Sequence, residues 1–490
     1  MKTINRRSFL KTTALGAAAA SLPTYSWASA KGANNAIRVA VVGFGGRGAD
    51  HISGMRGLAN KNVRIVALCD VDSKILNAGV ESFAKRNEKV ESYKDIRRLL
   101  ENKDVDAITI ATPNHWHSLA TIWAVQAGKD VYVEKPVSHN VWEGRKAVEA
   151  ARKYGKIVQA GTQSRSSNGI KEAIEWVRAG NLGKINIARG LCYKRRPSIG
   201  KTVGPQPVPD YIDYDLWCGP APLVPPRRNS PKNGPIHYDW HWFWDYGSGD
   251  LGNQGIHQMD IARWFLGEDA LSPRVASIGG RLGYEDDGET PNTQFVFHDY
   301  EKAPLIFEVR GLPQKTDAKE MDKYPKQNGG SVAVIIHCEG GHVLVPNYTG
   351  AAAFDKEGKE IKKWSGAADH FEDFIDAVRS RKHTDLNADI LEGHLSSALC
   401  HTGNVSYRLG HQANPDEIRE RIQGEKEALE TFERMAEHLA ANGVDLAKTK
   451  ATLGVPLRMD PLKEQFLENA EANKLLTREY RKPFVVPEKV

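Results

Sequence analysis

Cysteine is scarce and scattered in this chain. Its 490 residues include five, Cys69, Cys192, Cys218, Cys338 and Cys400, with no CxxC spacing among them. An odd, dispersed set argues against a disulfide frame and a thiolate metal centre, so we read five separate packed thiols, with a single bridge as the alternative, and expect no metal site. Long apolar runs are also missing. Nothing reaches the ~18 consecutive apolar residues that read as a membrane span. Excess charge is confined to the start. Residues 1–30 carry Lys2, Arg6, Arg7 and Lys11 and no acid, so the formal balance of +6 falls to +2 without them. That leaves no basic face of the kind a nucleic-acid partner requires. Internal repeats and low-complexity tracts are absent too.

What is there begins with "NRRSFLKTTALGAAAA" at residues 5–20. Two arginines followed by Phe9, Leu10 and Lys11, a short apolar stretch, and the small-residue site Ala28-Ser29-Ala30 make a twin-arginine export signal, with cleavage expected after Ala30. An ordinary secretion signal with a chance arginine pair is the bland alternative. The expected partner is the twin-arginine export machinery, which moves folded proteins, and the expected destination is the periplasm.

The remaining ~460 residues suit two or three domains. The first opens with "AIRVAVVGFGGRGADH". An apolar strand from Ile37 to Val42 precedes Gly43, Gly45 and Gly48 in GxGxxG spacing, with Phe44, Gly46 and Arg47 between them. The first glycine permits a tight turn, the second lets backbone approach a pyrophosphate, and the third lets helix and strand pack closely. The following helix offers its free N–H groups to the phosphates. A second strand ends at Asp70, the usual distance on for a carboxylate that accepts from the adenosine ribose hydroxyls. Such an acid repels a 2′-phosphate, so NAD is favoured over NADP, although Arg47 could soften that by reaching a phosphate. A strand over Ala107–Ala111 stops at Thr112-Pro113-Asn114, and His115, Trp116 and His117 open a helix. Because ligands sit beyond the carboxyl ends of parallel strands, this loop, His117 included, should face the cofactor. A fourth strand ends in Glu134-Lys135-Pro136. Lys135 there points into the crevice; its bland reading is a solvated lysine beside its own glutamate.

The ordered set GFGGRG, CDVD, ATPNHWH and VEKP resembles the Gfo/Idh/MocA oxidoreductases, as do "DLWCGPAP" at 215–222, "GSGDLGNQGIHQMDIARW" at 247–264 and "HFEDFIDAVRSRK" at 370–382. The resemblance spans roughly residues 36–410. It implies an α/β chain: an NAD-binding Rossmann domain over 36–160, then an α/β domain over 161–410 with a large, mostly antiparallel open sheet. The residues agree with that sheet. "TQFVFHDYEKAPLIFEVRG" and "SVAVIIHCEGGHVLVP" read as hairpins, the second turning at Gly340-Gly341, and "KINIARGLCY" alternates as a strand. Alternation implies one face on the core and one free. The resemblance implies that the free face makes a homo-oligomer, dimer or tetramer. Residues 411–490 lie beyond it as a helical extension. There Asn414 caps, and Ile418, Ile422, Leu429, Phe432, Met435 and Leu439 share one face of a helix ended by Gly443.

The resemblance also implies the catalytic set. The family lysine matches Lys135 and its histidine matches His257. The family aspartate four residues before that histidine is Asn253 here. An asparagine orients an imidazole without supplying charge, so His257 should act neutral, holding a substrate hydroxyl, while Lys135 takes the proton. Nearby, Trp240 and His241 within "YDWHWFWDYGSG" are either part of a buried strand or an aromatic platform for sugar faces. Gln163 and Arg165 lie where substrate enters. Asp260, close to one helical turn after His257, either binds substrate or pairs structurally, with structure the favoured reading. The implied function is a periplasmic oxidoreductase of a sugar or glycoside hydroxyl, with C3 a plausible position and NAD tightly bound. The alternatives are an NAD-dependent glycoside hydrolase working by transient oxidation and a non-catalytic NAD-containing binding protein.

Overall fold

In a computed structural model, residues 36–228 and 236–490 are described; the export signal expected over 1–30 lies outside them. The nucleotide domain is a parallel sheet of six strands. β1 (Ile37–Val42), β2 (Val63–Cys69), β3 (Glu91–Tyr93), β4 (Ala107–Ile110), β5 (Asp130–Val133) and β6 (Val158–Ala160) run in the order β3-β2-β1-β4-β5-β6. The order reverses between β1 and β4, and the crevice opens at their carboxyl ends. Helices α1 (Gly48–Gly57), α2 (Ser73–Ala84), α3 (Ile96–Glu101), α4 (His117–Gln126) and α5 (Val141–Lys153) connect them. β4 and β5 are buried throughout, which is why they read as short apolar runs without alternation.

After α6 (Asn168–Arg178) the chain enters the large sheet at β7 (Ile185–Tyr193). Two site-bearing helices follow, α7 (Gly249–Asn253) and α8 (Gly255–Leu266). The remaining strands are β8 (Arg274–Gly280), β9 (Thr293–His298), β10 (Leu305–Arg310), β11 (Val332–Cys338), β12 (Gly341–Val345), β13 (Gly350–Asp355) and β14 (Glu360–Ser365). Only β7 and β10 pair in parallel among these; the two expected hairpins are β9–β10 and β11–β12. Helix α9 (His370–Ser380) buries Phe371, Phe374 and Ile375 against Val39, Met55 and Tyr132, so it belongs to the underside of the nucleotide sheet. Helix α10 (Ile390–Arg408) runs between the two domains.

The expectation of a free sheet face is corrected. β9 and β10 are buried along their whole length. The cover is the chain's own extension, which forms two helices rather than one, α11 (Pro415–Ile422) and α12 (Lys426–Ala441), interrupted at Gly424. Ile418, Phe432, Met435 and Leu439 pack on Ile278, Phe295, Phe297 and Ile306. The outward charged residues Arg189 and Glu308 of β7 and β10 find counter-ions there as well. Arg434 donates to both oxygens of Glu308 at 2.9 and 2.7 Å, and Arg189 reaches Glu427 and Glu430. Burial works to raise Glu308, but Arg434, Arg310 and Arg189 outweigh it and hold the carboxyl at about 2.

The extension is also not only helical. β15 (His411–Ala413) and β16 (Ala451–Leu453) add to the sheet edge beside β8, and β17 (Leu457–Asp460) pairs with both β8 and β18 (Gln465–Phe466). The tail then returns to the nucleotide domain, where Phe484 and Val486 join a core containing Trp116, Leu119 and Leu216.

Candidate active site

One cleft of about 480 Å³ joins the two domains. Its floor is the loop between β1 and α1. Gly43 has φ +74°, and a Cβ there would stand 2.9 Å from the Thr112 nitrogen. A Cβ on Gly48 would stand 2.0 Å from the Gly43 carbonyl oxygen. The third glycine therefore closes the turn onto the first, as helix–strand packing requires. Gly48→Ala is expected to open this loop and to weaken nucleotide retention at least tenfold, read as the nucleotide content of the purified protein. Gly46 has open space beside it, and Phe44 N–H donates to Asp70 Oδ2 at 3.0 Å. Burial raises the Asp70 carboxyl, while the N–H groups of Asp72 and Phe44 pull it back.

Thr112, Pro113 and Asn114 line the next stretch of the cleft, and Thr112 Oγ1 and Asn114 Oδ1 are buried without a hydrogen-bond partner. Orphaned polar atoms in a cleft fit a polar ligand. His117 also lines the cleft, but its ring is spanned between two carbonyls, Pro136 O at 2.6 Å and Thr112 O at 2.7 Å, so it ties two loops together. With the glycine turn and Asp70, these residues fit a dinucleotide.

Two further cleft residues, Arg47 and Glu134, are paired with each other. Arg47 lines the cleft with part of its guanidinium already engaged. Its Nε donates to Glu134 Oε1 at 2.9 Å and its Nη1 to Asp50 at 3.0 Å. Glu134 lines the cleft, yet its carboxylate is already engaged by Arg47, by His51 Nε2 at 3.1 Å and by the Lys135 N–H at 3.3 Å.

At the other end, Lys135 Nζ donates to the main-chain carbonyl of Asn253 at 2.7 Å. It is the backbone of Asn253 that touches the lysine; its side-chain amide donates to Asp250 Oδ1 at 3.4 Å. Burial pushes the Lys135 ammonium down and Glu134 pushes it partly back up. His257, on the first turn of α8, is held well below the usual imidazole range by burial and by the Lys135 charge, so it is neutral at ordinary pH. Its Nδ1 is buried without a partner. Gln163, Trp240, His241 and Asn253 line the same cleft. Trp240 and His241 belong to a 3₁₀ turn (Asp239–Trp242), not a strand, and their rings stack at 3.6 Å. His241 Nδ1 donates to Tyr238 O at 2.6 Å; burial holds that ring at about 3, hence neutral.

Arg165 and Asp260 stand outside the cleft. Arg165 Nε lies 2.9 Å from both Asp260 oxygens, and Ser396 donates to Asp260 at 2.6 Å. The expected hydroxyl-donor role of Arg165 gives way to a buried ion pair, in which Asp260 takes its structural reading. The sequence did not point to His51, Tyr348, Gln254 or Trp217. Gln254 and Trp217 sit inside motifs already singled out; His51 and Tyr348 carried no signal.

The NAD-binding Rossmann-fold profile of an oxidoreductase family, Gfo/Idh/MocA, matches residues 37–162, and that family's C-terminal α/β-domain profile matches residues 170–320. The chain belongs to the Gfo/Idh/MocA family. A twin-arginine translocation signal profile matches residues 3–23. Among curated family relatives, inositol 2-dehydrogenase of Salmonella typhimurium is 29% identical over 183 residues, 37% of this chain and 52% of that protein. Myo-inositol 2-dehydrogenase of Thermotoga maritima is 26% identical over 253 residues, 52% of this chain and 61% of that protein. A glycosyl hydrolase family 109 protein of Shewanella baltica is 30% identical over 181 residues, 32% of this chain and 39% of that protein. The chain thus spans about half the length of the curated relatives it matches. In fold it is similar to the WlbA dehydrogenase of Bordetella pertussis, solved with NADH and UDP-GlcNAcA. That match has TM-score 0.53 and 20% identity, and covers 74% of this chain and 94% of that one. Levoglucosan dehydrogenase, solved with NADH and levoglucosan, matches at TM-score 0.53 and 16% identity, covering 74% and 95%. The first domain of this Gfo/Idh/MocA chain is accordingly NAD-binding.

Proposed function

We propose that the protein is an exported, NAD-dependent oxidoreductase that converts a ring hydroxyl of a sugar or glycoside, with C3 as the position, to a ketone. The observation that carries this reading is Lys135. It is a half-buried amine at the carboxyl end of β5, with Nζ anchored on the Asn253 carbonyl and the neutral His257 lining the same cleft. Gly43–Gly48, Asp70 and Thr112–Asn114 are the residues that would hold NAD, which when bound supplies reversible hydride acceptance. Lys135 takes the hydroxyl proton, a role that burial favours by lowering the ammonium's hold on its own proton. His257 holds that hydroxyl without competing for the proton. Trp240 and His241, stacked on each other in the cleft wall, leave the outer face of the stack for the apolar side of a pyranose.

Export supports a tightly held cofactor. Free NAD is not expected outside the cytoplasm, so a periplasmic enzyme carries its own and regenerates it in place. A redox-assisted glycoside hydrolase is the second reading, favoured by the resemblance to the Shewanella baltica protein. One experiment tests these readings. The purified mature protein is denatured and filtered, and the released nucleotide identified by mass spectrometry; near-stoichiometric NAD or NADH is expected. A protein that is empty and fails to take up added NAD sinks both. Incubation of the loaded protein with methyl glycosides then separates them, since keto-sugar marks the oxidoreductase and free methanol without keto product marks the hydrolase.

A further inference from the structure

Glu134 does not face the cleft alone. Its side chain is 6% exposed, and its two oxygens are filled from three sides. Oε1 accepts from Arg47 Nε at 2.9 Å and from His51 Nε2 at 3.1 Å; Oε2 lies 3.3 Å from the Lys135 N–H. Gly161 makes the room, because a Cβ there would stand 2.8 Å from Oε2. His51 is fully buried and clamped edge-on by Tyr132 and Phe371, with ring centroids at 5.2 and 5.4 Å. Its Nδ1 has no partner. The tautomer that strands no buried N–H places the proton on Nε2, aimed at Glu134.

We propose that Glu134 and Arg47 are an opposed pair that sets how readily Lys135 releases its proton, with His51 fixing the carboxylate between them. All three are positioning residues for the Lys135 reaction, and the inference rests on reading Lys135 as the proton acceptor. A buried carboxylate beside the lysine stabilises the ammonium and would keep it charged. Arg47, ion-paired to that carboxylate, opposes this and returns the lysine toward the amine. Other charged and titratable groups also act on Lys135. Lys194 donates to Gln254 Oε1 at 3.0 Å, Asp250 is paired with Arg196 at 2.7 Å, and His257 and His117 are held below the usual imidazole range by burial. Glu134 and Arg47 are the charges that weigh most on Lys135, so a single substitution in this pair moves its proton affinity in either direction.

The two charges make predictions of opposite sign, which a merely structural role does not. The readout needs no substrate: the purified protein is labelled with 1-fluoro-2,4-dinitrobenzene across pH, and the Lys135 peptide is quantified by mass spectrometry. Glu134→Gln is expected to move the Lys135 labelling midpoint down, and Arg47→Gln to move it up, each by about one pH unit. The acid limb of the kcat/KM profile for reduction of bound NAD should follow in the same directions. His51→Leu is expected to move the midpoint less than either, and His51→Gln, which keeps an N–H donor, to restore it. Midpoints that do not move, or that move the same way in Glu134→Gln and Arg47→Gln, overturn the proposal. If the midpoints move oppositely while Lys135→Met keeps its turnover, the pair tunes the lysine but the lysine is not the proton acceptor.

Discussion

Replacement of Lys135 by methionine is expected to cut turnover by about 10²–10⁴-fold while leaving the fold and the bound nucleotide in place. Methionine keeps the unbranched length but has no proton to give or take. The lost contact is one hydrogen bond to the Asn253 carbonyl, which faces the cleft and can find water instead. The loss should therefore fall on kcat rather than on cofactor content. The measurement is reduction of protein-bound NAD over a panel of methyl glycosides, with nucleotide stoichiometry on the same samples. Turnover within a few-fold of the unaltered protein would remove Lys135 from the chemistry. Loss of nucleotide together with turnover would assign Lys135 to cofactor retention.

The second large effect is expected at Asp260. It anchors α8, which carries His257, to the loop after β6, which carries Gln163, through Arg165. Both partners are almost fully buried. Asp260→Ala strands the Arg165 guanidinium with one remaining carboxylate, Glu392 at 3.0 Å. Removing one member of a buried pair costs about 3–5 kcal/mol, and the residual contact puts this case near 3 kcal/mol. Urea unfolding should show the lowered midpoint. Replacing both partners by apolar residues, Arg165→Met with Asp260→Leu, should recover most of the loss, because no charge is then left uncompensated. A double variant as unstable as the single would show that the packing of α8, not the ion pair, is what Asp260 supplies.

The parts of this site that were legible in the sequence are those whose logic is local. Gly43, Gly45 and Gly48 constrain one turn, Asp70 ends the next strand, and Lys135 ends another; each is specified within a few residues. Partners brought together from afar were not legible. Arg47 offered itself to a phosphate because nothing in its neighbourhood says that Glu134, 87 residues on, will claim it. Arg165 and Asp260 are 95 residues apart, and each alone reads as a plausible sugar ligand. Alternation in β7 and β10 correctly separated two faces. It could not say that Arg189 and Glu308, outward and charged, would be covered by α12, since a charged residue reads as solvated until its counter-ion is placed. Trp240 and His241 were ambiguous for a related reason, because aromatic spacing alone does not separate a strand from a 3₁₀ turn.

The returning tail bears on the timing of maturation. Phe484 packs edge-on against Trp116 at 5.6 Å, and Arg481 donates to the carbonyls of Asp215 and Gly219, beside the cleft residues Leu216 and Trp217. On the ribosome this segment emerges after every strand of the nucleotide sheet has been made. The wall of the nucleotide domain behind Trp116 therefore stays unfinished until this segment has emerged. A chain abandoned part-way presents an exposed tryptophan where the finished protein presents a packed one.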